Sequence, residues 1–325
     1  MSPRALITGG AGFVGQWLAR ALLRRGHEVT SIGLHEPDAS GVLTDDERRA
    51  VAWRRADLRE PASVAGALDD VCPDIVVHLA AVSFVPDAAA SSATAYEVNV
   101  LGLARLLEAL RPRRAAGTID PLLLVVGSGE QYGRHDDHEL PLREDAEQRP
   151  LTVYAASKAA QEQVALQAHR GEGLRVVVTR SFNHSGPGQS SRFLLPALVR
   201  RVLDLRAGGG ASTLALGNAT PVRDFLHVED VAEAYCLLLE RGTPGEAYNV
   251  ASGVGTSVRA LASAVLQRAG VTVDISTDPA LVRPVDLPAL VGSPDKLIRA
   301  TGWRPRHSRD DIIDDLLRSA HAPTF

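Results

Sequence analysis

A phenol and an ammonium four residues apart are the most chemically pointed pair in this 325-residue sequence: Tyr154 and Lys158, in Tyr154-Ala155-Ala156-Ser157-Lys158. On a helix, positions i and i+4 share one face, so both groups address the same spot. A tyrosine with an ordinary pKa near ~10 is a poor acid or base at neutral pH unless a neighbouring cation stabilises its phenolate. Lys158 has the compact charge for that task and protons left to donate to a ribose hydroxyl, which the planar fork of an arginine does not offer. All but two of the 35 basic residues are arginine, so a lysine kept at this spacing invites a chemical reason. With five tyrosines and two lysines in the chain, chance places a lysine four residues after a tyrosine about 3% of the time.

A second group of residues bears on what such a pair could act with. An apolar run over 5–9 leads directly into Gly9-Gly10-Ala11-Gly12-Phe13-Val14-Gly15, with a helix opening near Phe13. Gly9 permits a tight turn, Gly12 lets backbone approach a diphosphate, and Gly15 lets the helix lie close to the strand. The helix N-terminus adds unpaired N–H groups and the positive end of its dipole. In dinucleotide-binding chains an acidic residue ending the second strand holds the adenosine ribose; here Gly33 stands there, followed by Leu34, His35 and Glu36. A 2′-phosphate is then not repelled, which favours NADPH over NADH, with use of both open.

The elements that must bring these groups together follow from hydrophobic period. Short apolar runs at 5–9, 28–33, 51–58, 75–81, 122–129, 175–182 and 246–253 alternate with helix-period stretches. Val14, Trp17, Leu18, Ala21 and Leu22 recur at helical spacing before Gly26, a C-terminal stop. Continuous apolar strands between helices predict an α/β fold: a Rossmann-type, doubly wound parallel sheet. Beyond residue 183, loop-rich segments predict a smaller α/β lobe over the sheet's carboxyl edge. The expected division is 1–182 with a return at 222–251 for the nucleotide-binding domain, and 183–221 with 252–325 for the substrate lobe.

The G-x-x-G-x-x-G spacing, together with the Tyr-x-x-x-Lys pair, resembles the extended short-chain dehydrogenases/reductases, the NAD-dependent epimerase/dehydratase family. The segments 179–190 (TRSFNHSGPGQS), 217–225 (GNATPVRDF), and VRPVDLPALVGS with TGWRP within 282–305 are similar to its nucleotide-sugar branch, above all to reductases of GDP-linked 4-keto-6-deoxymannose. The resemblance implies a catalytic set of Ser128, Tyr154 and Lys158, with Ser128 holding the substrate oxygen that Tyr154 protonates. Glu130 is either the base of an elimination, as in related dehydratases, or a structural contact. Implied cofactor contacts are Gly9, Gly12, Phe13, Val14, Gly15, Asp57, Leu58, Leu79, Ala80 and Ala81, besides Tyr154 and Lys158. Implied substrate contacts are Ser83, Ser128, Asn183, Arg223, Arg283 and Asp286. Two forked arginines converging on a diphosphate would form a clamp, with Asp224 and Asp286 either meeting ribose hydroxyls or orienting those arginines.

Net charge of −4 without a basic block argues against nucleic acid or an acidic membrane surface as partner. Two cysteines, Cys72 and Cys236, suit a reducing compartment, and neither a cationic-apolar leader nor 18 consecutive apolar residues occur, so a cytoplasmic chain is expected. His135-Asp136-Asp137-His138 has metal-capable side chains but no further ligand set, so no metal is expected; His78 reads as a satisfied interior imidazole and Lys296 as solvent-facing. The leading expectation is NADPH-dependent 4-ketoreduction of a nucleotide-linked, GDP-favoured 6-deoxyhexose, by a homodimer pairing the helix of Tyr154 with that of Leu103, Leu106, Leu107 and Leu110. The alternatives are 4,6-dehydration or epimerisation with retained NAD(P) and, more remotely, a non-catalytic NADP(H)-sensing regulator.

Overall fold

Residues 2–37, 41–208, 213–282 and 286–321 are described in the computed structural model of the chain. Its first half alternates strand and helix: β1 (Arg4–Thr8), α1 (Phe13–Arg24), β2 (Glu28–Gly33), α2 (Asp45–Ala50), β3 (Val51–Arg55), α3 (Pro61–Ala67), β4 (Ile75–His78), α4 (Val85–Ala90) and α5 (Ser92–Tyr96). A π turn (Glu97–Leu101) then runs into α6 (Gly102–Ala115), followed by β5 (Leu122–Ser128), α7 (Val153–Glu172) and β6 (Arg175–Ser181). The second half holds β7 (Asn183–Ser185), α8 (Leu194–Arg206), β8 (Thr213–Leu216), β9 (Val222–His227), α9 (Val228–Arg241), β10 (Ala247–Val250), β11 (Gly255–Ser257), α10 (Val258–Ala269), β12 (Asp274–Thr277), β13 (Ala289–Leu290), α11 (Asp295–Thr301) and α12 (Arg309–His321).

Seven strands form one sheet in the order β10-β6-β5-β4-β1-β2-β3, every neighbouring pair parallel. The central runs, β1, β4 and β5, are largely apolar because both faces are covered, whereas the edge strand β3 carries exposed Ala52 and Arg55. On one face Leu18 and Leu22 of α1 pack with Val231, Tyr235 and Leu238 of α9 and with Trp303. On the other, Leu103, Leu106, Leu107 and Leu110 of α6 pack with Ala165 and Leu166 of α7. These four leucines are at most 2% exposed, so they belong to this chain's own core and are not available to a partner.

Strand order reverses between β1 and β4, and in open α/β sheets ligands gather at the carboxyl edge beside such a reversal. The third strand ends at Arg55, short of the sequence expectation of residue 58. Asp57 is drawn into a turn instead, its carboxylate accepting from Arg59 N (2.9 Å) and its own N–H donating to Ser63 Oγ (3.1 Å).

The smaller lobe contains a sheet of β11-β9-β13 with β7 beside β9, and the pair β12-β8. Helices α8, α10 and α12 enclose its core around Leu198, Val202, Leu261, Val265, Ile312 and Ile313. The segment 222–251 therefore divides: β9 lies in the lobe's sheet, while α9 and β10 belong to the large one. Among the described residues no helix is long and apolar enough to cross a membrane.

Candidate active site

At the end of β1 the chain turns through Gly9 at φ +75°, a conformation that disfavours any side chain. A Cβ there would also stand 2.9 Å from the backbone of Ala80. Gly15 is needed for proximity: its Cβ would lie 2.5 Å from Gly10 Cα and 2.6 Å from the carbonyl oxygens of Gly9 and Gly10. Gly12 is exposed and forms the N-cap of α1 without a side-chain cap or an acidic residue in the first turn. The orphan N–H groups at Phe13, Val14 and Gly15 thus remain open to an anion. Leu79, Ala80 and Ala81 continue β4 alongside, and Ala80 N donates to Thr8 Oγ1 (3.2 Å). At the end of β2, a Cβ on Gly33 would meet nothing closer than 4.0 Å. A dinucleotide with its diphosphate on the α1 N-terminus fits this turn.

Across the sheet, Ser128 ends β5 and Tyr154 and Lys158 stand on α7, whose N-cap Thr152 accepts from Ala155 N at 3.1 Å. The Ser128 side chain lies close enough to Tyr154 to act on its phenol. Tyr154 is half-buried as a residue, yet desolvation dominates at its hydroxyl. It raises the phenol above its ordinary range; Ser128 opposes this, and the charges of Glu130 and Tyr235 add to it.

Lys158 is 3% exposed, donates to Val126 O (2.6 Å) and Gln161 Oε1 (2.7 Å), and is pushed down to about 7 by burial. Its ammonium is therefore turned to the interior rather than to the phenol, and the depression of Tyr154 expected from it is absent. One of its three N–H donors remains for a ribose hydroxyl.

On the lobe side, Asn183 is half-buried at the start of β7 and Ser83 is exposed after β4. Arg223 donates to Asp286 Oδ1 (2.5 Å) and to Leu287 O (2.7 Å), so Asp286 orients this arginine. Asp224, expected to meet a ribose or orient an arginine, does neither. It is fully buried and accepts from Ser252 N (2.8 Å), Ser252 Oγ (2.6 Å), Gly253 N (3.0 Å) and Gly292 N (3.3 Å). Burial holds its carboxyl above the usual range against those bonds. Arg283 lies outside the described residues.

His78 is paired only through Nδ1, to Thr8 Oγ1 at 2.9 Å; its Nε2 is buried without a partner, and burial, then the charge of Lys158, lowers its pKa to about 3. His135 spends both ring nitrogens, on Glu139 and Glu147 O, each at 3.0 Å. Lys296, expected to face solvent, instead bonds Glu246 and Ala247 O and lies over the Tyr248 ring.

Several residues around the site carry no local signal in the sequence. Asn99, in the π turn, accepts from Val82 N (2.7 Å) and donates to Ser157 Oγ (2.8 Å), tying the loop after β4 to α7. Gln131, Glu162 and Arg180 form a buried polar cluster behind Ser128. His227, Glu229 and His307 could together reach one cation. However, His227 Nδ1 accepts from Glu229 N (3.0 Å), which leaves the ring proton on Nε2 and no lone pair there for a metal.

A profile of the GDP-mannose 4,6 dehydratase family matches residues 6–316. The chain is 37% identical over 305 residues to the GDP-6-deoxy-D-mannose reductase of Pseudomonas aeruginosa, covering 94% of this chain and 93% of the relative. It superposes on the structure of RMD from Pseudomonas aeruginosa complexed with NADPH with a TM-score of 0.82, at 32% identity and 98% coverage of both chains. The Thermus thermophilus UDP-glucose 4-epimerase complexed with NAD gives a TM-score of 0.84 at 33% identity, covering 98% of this chain and 100% of that one.

Proposed function

The chain belongs to the GDP-mannose 4,6 dehydratase family of NAD(P)-dependent nucleotide-sugar enzymes, and from that premise we propose that it reduces a nucleotide-linked 4-keto-6-deoxyhexose, GDP-4-keto-6-deoxy-D-mannose, with NADPH. Reduction of a ketone needs a proton donor that is still protonated at working pH. The observation that carries the reading is geometric: Tyr154 and Lys158 stand one turn apart on α7, close to Ser128 at the carboxyl end of β5, where the phenol is protonated and Ser128 opposes the rise that burial imposes on it. The similarity to a GDP-6-deoxy-D-mannose reductase and to an NADPH complex supports the sugar and the cofactor.

When bound, NADPH supplies the hydride that reduces the C4 carbonyl. Ser128 Oγ holds the carbonyl oxygen, and Tyr154 gives its hydroxyl proton to that oxygen as charge develops on it. Lys158 offers its remaining N–H to the nicotinamide ribose. The N–H groups of Phe13, Val14 and Gly15 bind the cofactor diphosphate, while Asp57 and Leu58 border the adenine. Arg223, oriented by Asp286, together with Arg283, Asn183 and Ser83, holds the sugar nucleotide.

A second reading, 4,6-dehydration, is favoured by one observation: Glu130 lies near enough to Tyr154 for its charge to act on the phenol. Supplied with GDP-4-keto-6-deoxy-D-mannose, a reductase consumes NADPH in proportion to sugar, followed by loss of reduced-nicotinamide absorbance. A dehydratase or epimerase recycles its cofactor and leaves that absorbance unchanged, which would reject the reductase. A homodimer through the outer surface of α6 and α7 is the expected assembly, supported by Tyr96 and Leu101, 40% and 49% exposed beside the π turn. Free Cys72 and Cys236 are compatible with a cytoplasmic setting.

A further inference from the structure

We propose that Gln131 is a positioning residue for this reduction, locking the turn that carries Ser128 to the helix that carries Tyr154 and Lys158. The inference rests on the reductase reading for its kinetic consequence and on the hydrogen bonds alone for its structural one. Ser128 begins a 3₁₀ turn over Gly129–Tyr132. Its Oγ accepts from Glu130 N (3.2 Å) and acts on the nearby Tyr154 phenol, so the direction of that hydroxyl depends on how the turn is held.

Gln131 is fully buried. Its Oε1 accepts from Ser128 N at 2.7 Å, and its Nε2 donates to Glu162 Oε2 at 2.8 Å and to Gln148 Oε1 at 3.2 Å. Glu162 lies one helical turn beyond Lys158 on α7, so a single amide spans from the serine's backbone to the catalytic helix. Gly127 makes the room, since a Cβ there would overlap Gln131 Oε1.

The far end of the bridge is itself fixed. Glu162, 2% exposed, is gripped by Arg180 through two bonds of 3.0 and 2.7 Å. Arg180 also donates to Tyr132 OH (2.8 Å), which donates to Asn249 Oδ1 (2.7 Å) on β10. Among the described residues no side-chain hydrogen bond joins this bridge to Tyr154 or Lys158, so it acts on the chemistry by fixing where Ser128 stands relative to α7. A misplacement of about 1 Å in such a group costs on the order of 100-fold in rate.

Two variants of the full-length chain test this. Gln131→Met keeps the volume and removes all three bonds: kcat should fall about 10- to 100-fold, NADPH Kd should stay within about twofold, and the Ser128 amide hydrogen should exchange faster with solvent. Gln131→Glu keeps the acceptor for Ser128 N–H but sets a second carboxylate against Glu162. Only its protonated form can donate as the amide does, so its kcat relative to wild type should rise as pH falls from about 8 to about 6.

A folded Gln131→Met with kcat and Ser128 exchange unchanged would overturn the proposal, as would a Gln131→Glu whose pH profile follows wild type. If Gln131→Met does not fold, the pH profile of Gln131→Glu decides. A wild-type chain that consumes no NADPH would instead reject the reductase reading, and amide exchange would still decide what Gln131 holds.

Discussion

The two halves of the carboxyl edge are built by opposite means. Over β1 and β2 the candidate site is made by leaving side chains out: Gly9, Gly12 and Gly15 let backbone approach backbone, and α1 starts without a side-chain cap on its N–H groups. Over β5 and α7 it is made by burying polar side chains. Ser128, Tyr154 and Lys158 sit among Gln131, Gln161, Glu162 and Arg180, all but Tyr154 at most 7% exposed. On the proposed reading the first half binds the cofactor and the second carries the reaction. Their separation predicts that damage to one should leave the other's function largely intact.

The largest effect should come from Tyr154→Phe, which removes a single proton from the reactive half. Loss of a general acid costs roughly 10²- to 10⁴-fold in rate, so kcat should fall by about 10³-fold while NADPH Kd, read by fluorescence titration, changes less than about twofold. If cofactor affinity falls in step with kcat, the two halves are not separable as described.

The converse is Gly15→Ala. Its methyl would stand 2.5 Å from Gly10 Cα, contact that backbone must move to relieve, at a cost of about 1–3 kcal/mol for overpacking. NADPH binding should weaken at least about tenfold, with a lower urea midpoint, whereas the Ser128 amide should exchange as in wild type. Unchanged NADPH affinity would mean that α1 does not need its closeness to the turn.

The same contrast explains what could be read in advance. Strands 75–78 and 122–128 were legible because two-sided burial writes continuous apolar runs, and the glycine turn because its spacing is local. Tyr154 and Lys158 were legible for the same reason, being one helical turn apart.

Gln131, Glu162 and Arg180 were not, since a buried hydrogen bond is defined only when the chain closes. Gln131 meets Glu162 across 31 positions, and Tyr132 meets Asn249 across 117. Asp224 was misplaced by its motif neighbours, although strand alternation sets it opposite Arg223, inside the protein and on the backbone of 252–253 and 292. The leucines of α6 show a second limit: amphipathic spacing marks a buried face without saying what buries it, and here it is this chain's own sheet.

Burial on the reactive half also has a thermodynamic signature. Lys158 is brought down to about 7 from 10.5 by desolvation. Above about pH 7 the folded lysine has released a proton that the unfolded chain still holds, so unfolding takes up a proton and stability rises with pH, by at most ~1.4 kcal/mol per unit. Below that pH both states are protonated and this slope vanishes. Urea unfolding of wild type and Lys158→Met at about pH 6.5, 7.5 and 8.5 isolates the lysine. The stability of wild type relative to the variant should increase over the upper interval, and a difference that stays flat would place the ammonium in water.

The smallest expected effect tests whether the binding half works by omission at β2 as well. Gly33 has no side chain to accept ribose hydroxyls, and a Cβ there would meet Gly9 Cα, Gly9 N and His35 O at 4.0 Å, ordinary contact. Gly33→Asp should therefore fold without strain and change only what the pocket prefers. Its carboxylate would repel a 2′-phosphate and accept from a free 2′-hydroxyl. The ratio of NADPH to NADH affinity should drop about tenfold, roughly 1.4 kcal/mol, with kcat on the preferred cofactor little altered. Should the ratio hold while the protein stays folded, cofactor choice would lie beyond the end of β2, and the exposed Arg55, paired with Gly33 in the sheet register, would be the next side chain to replace.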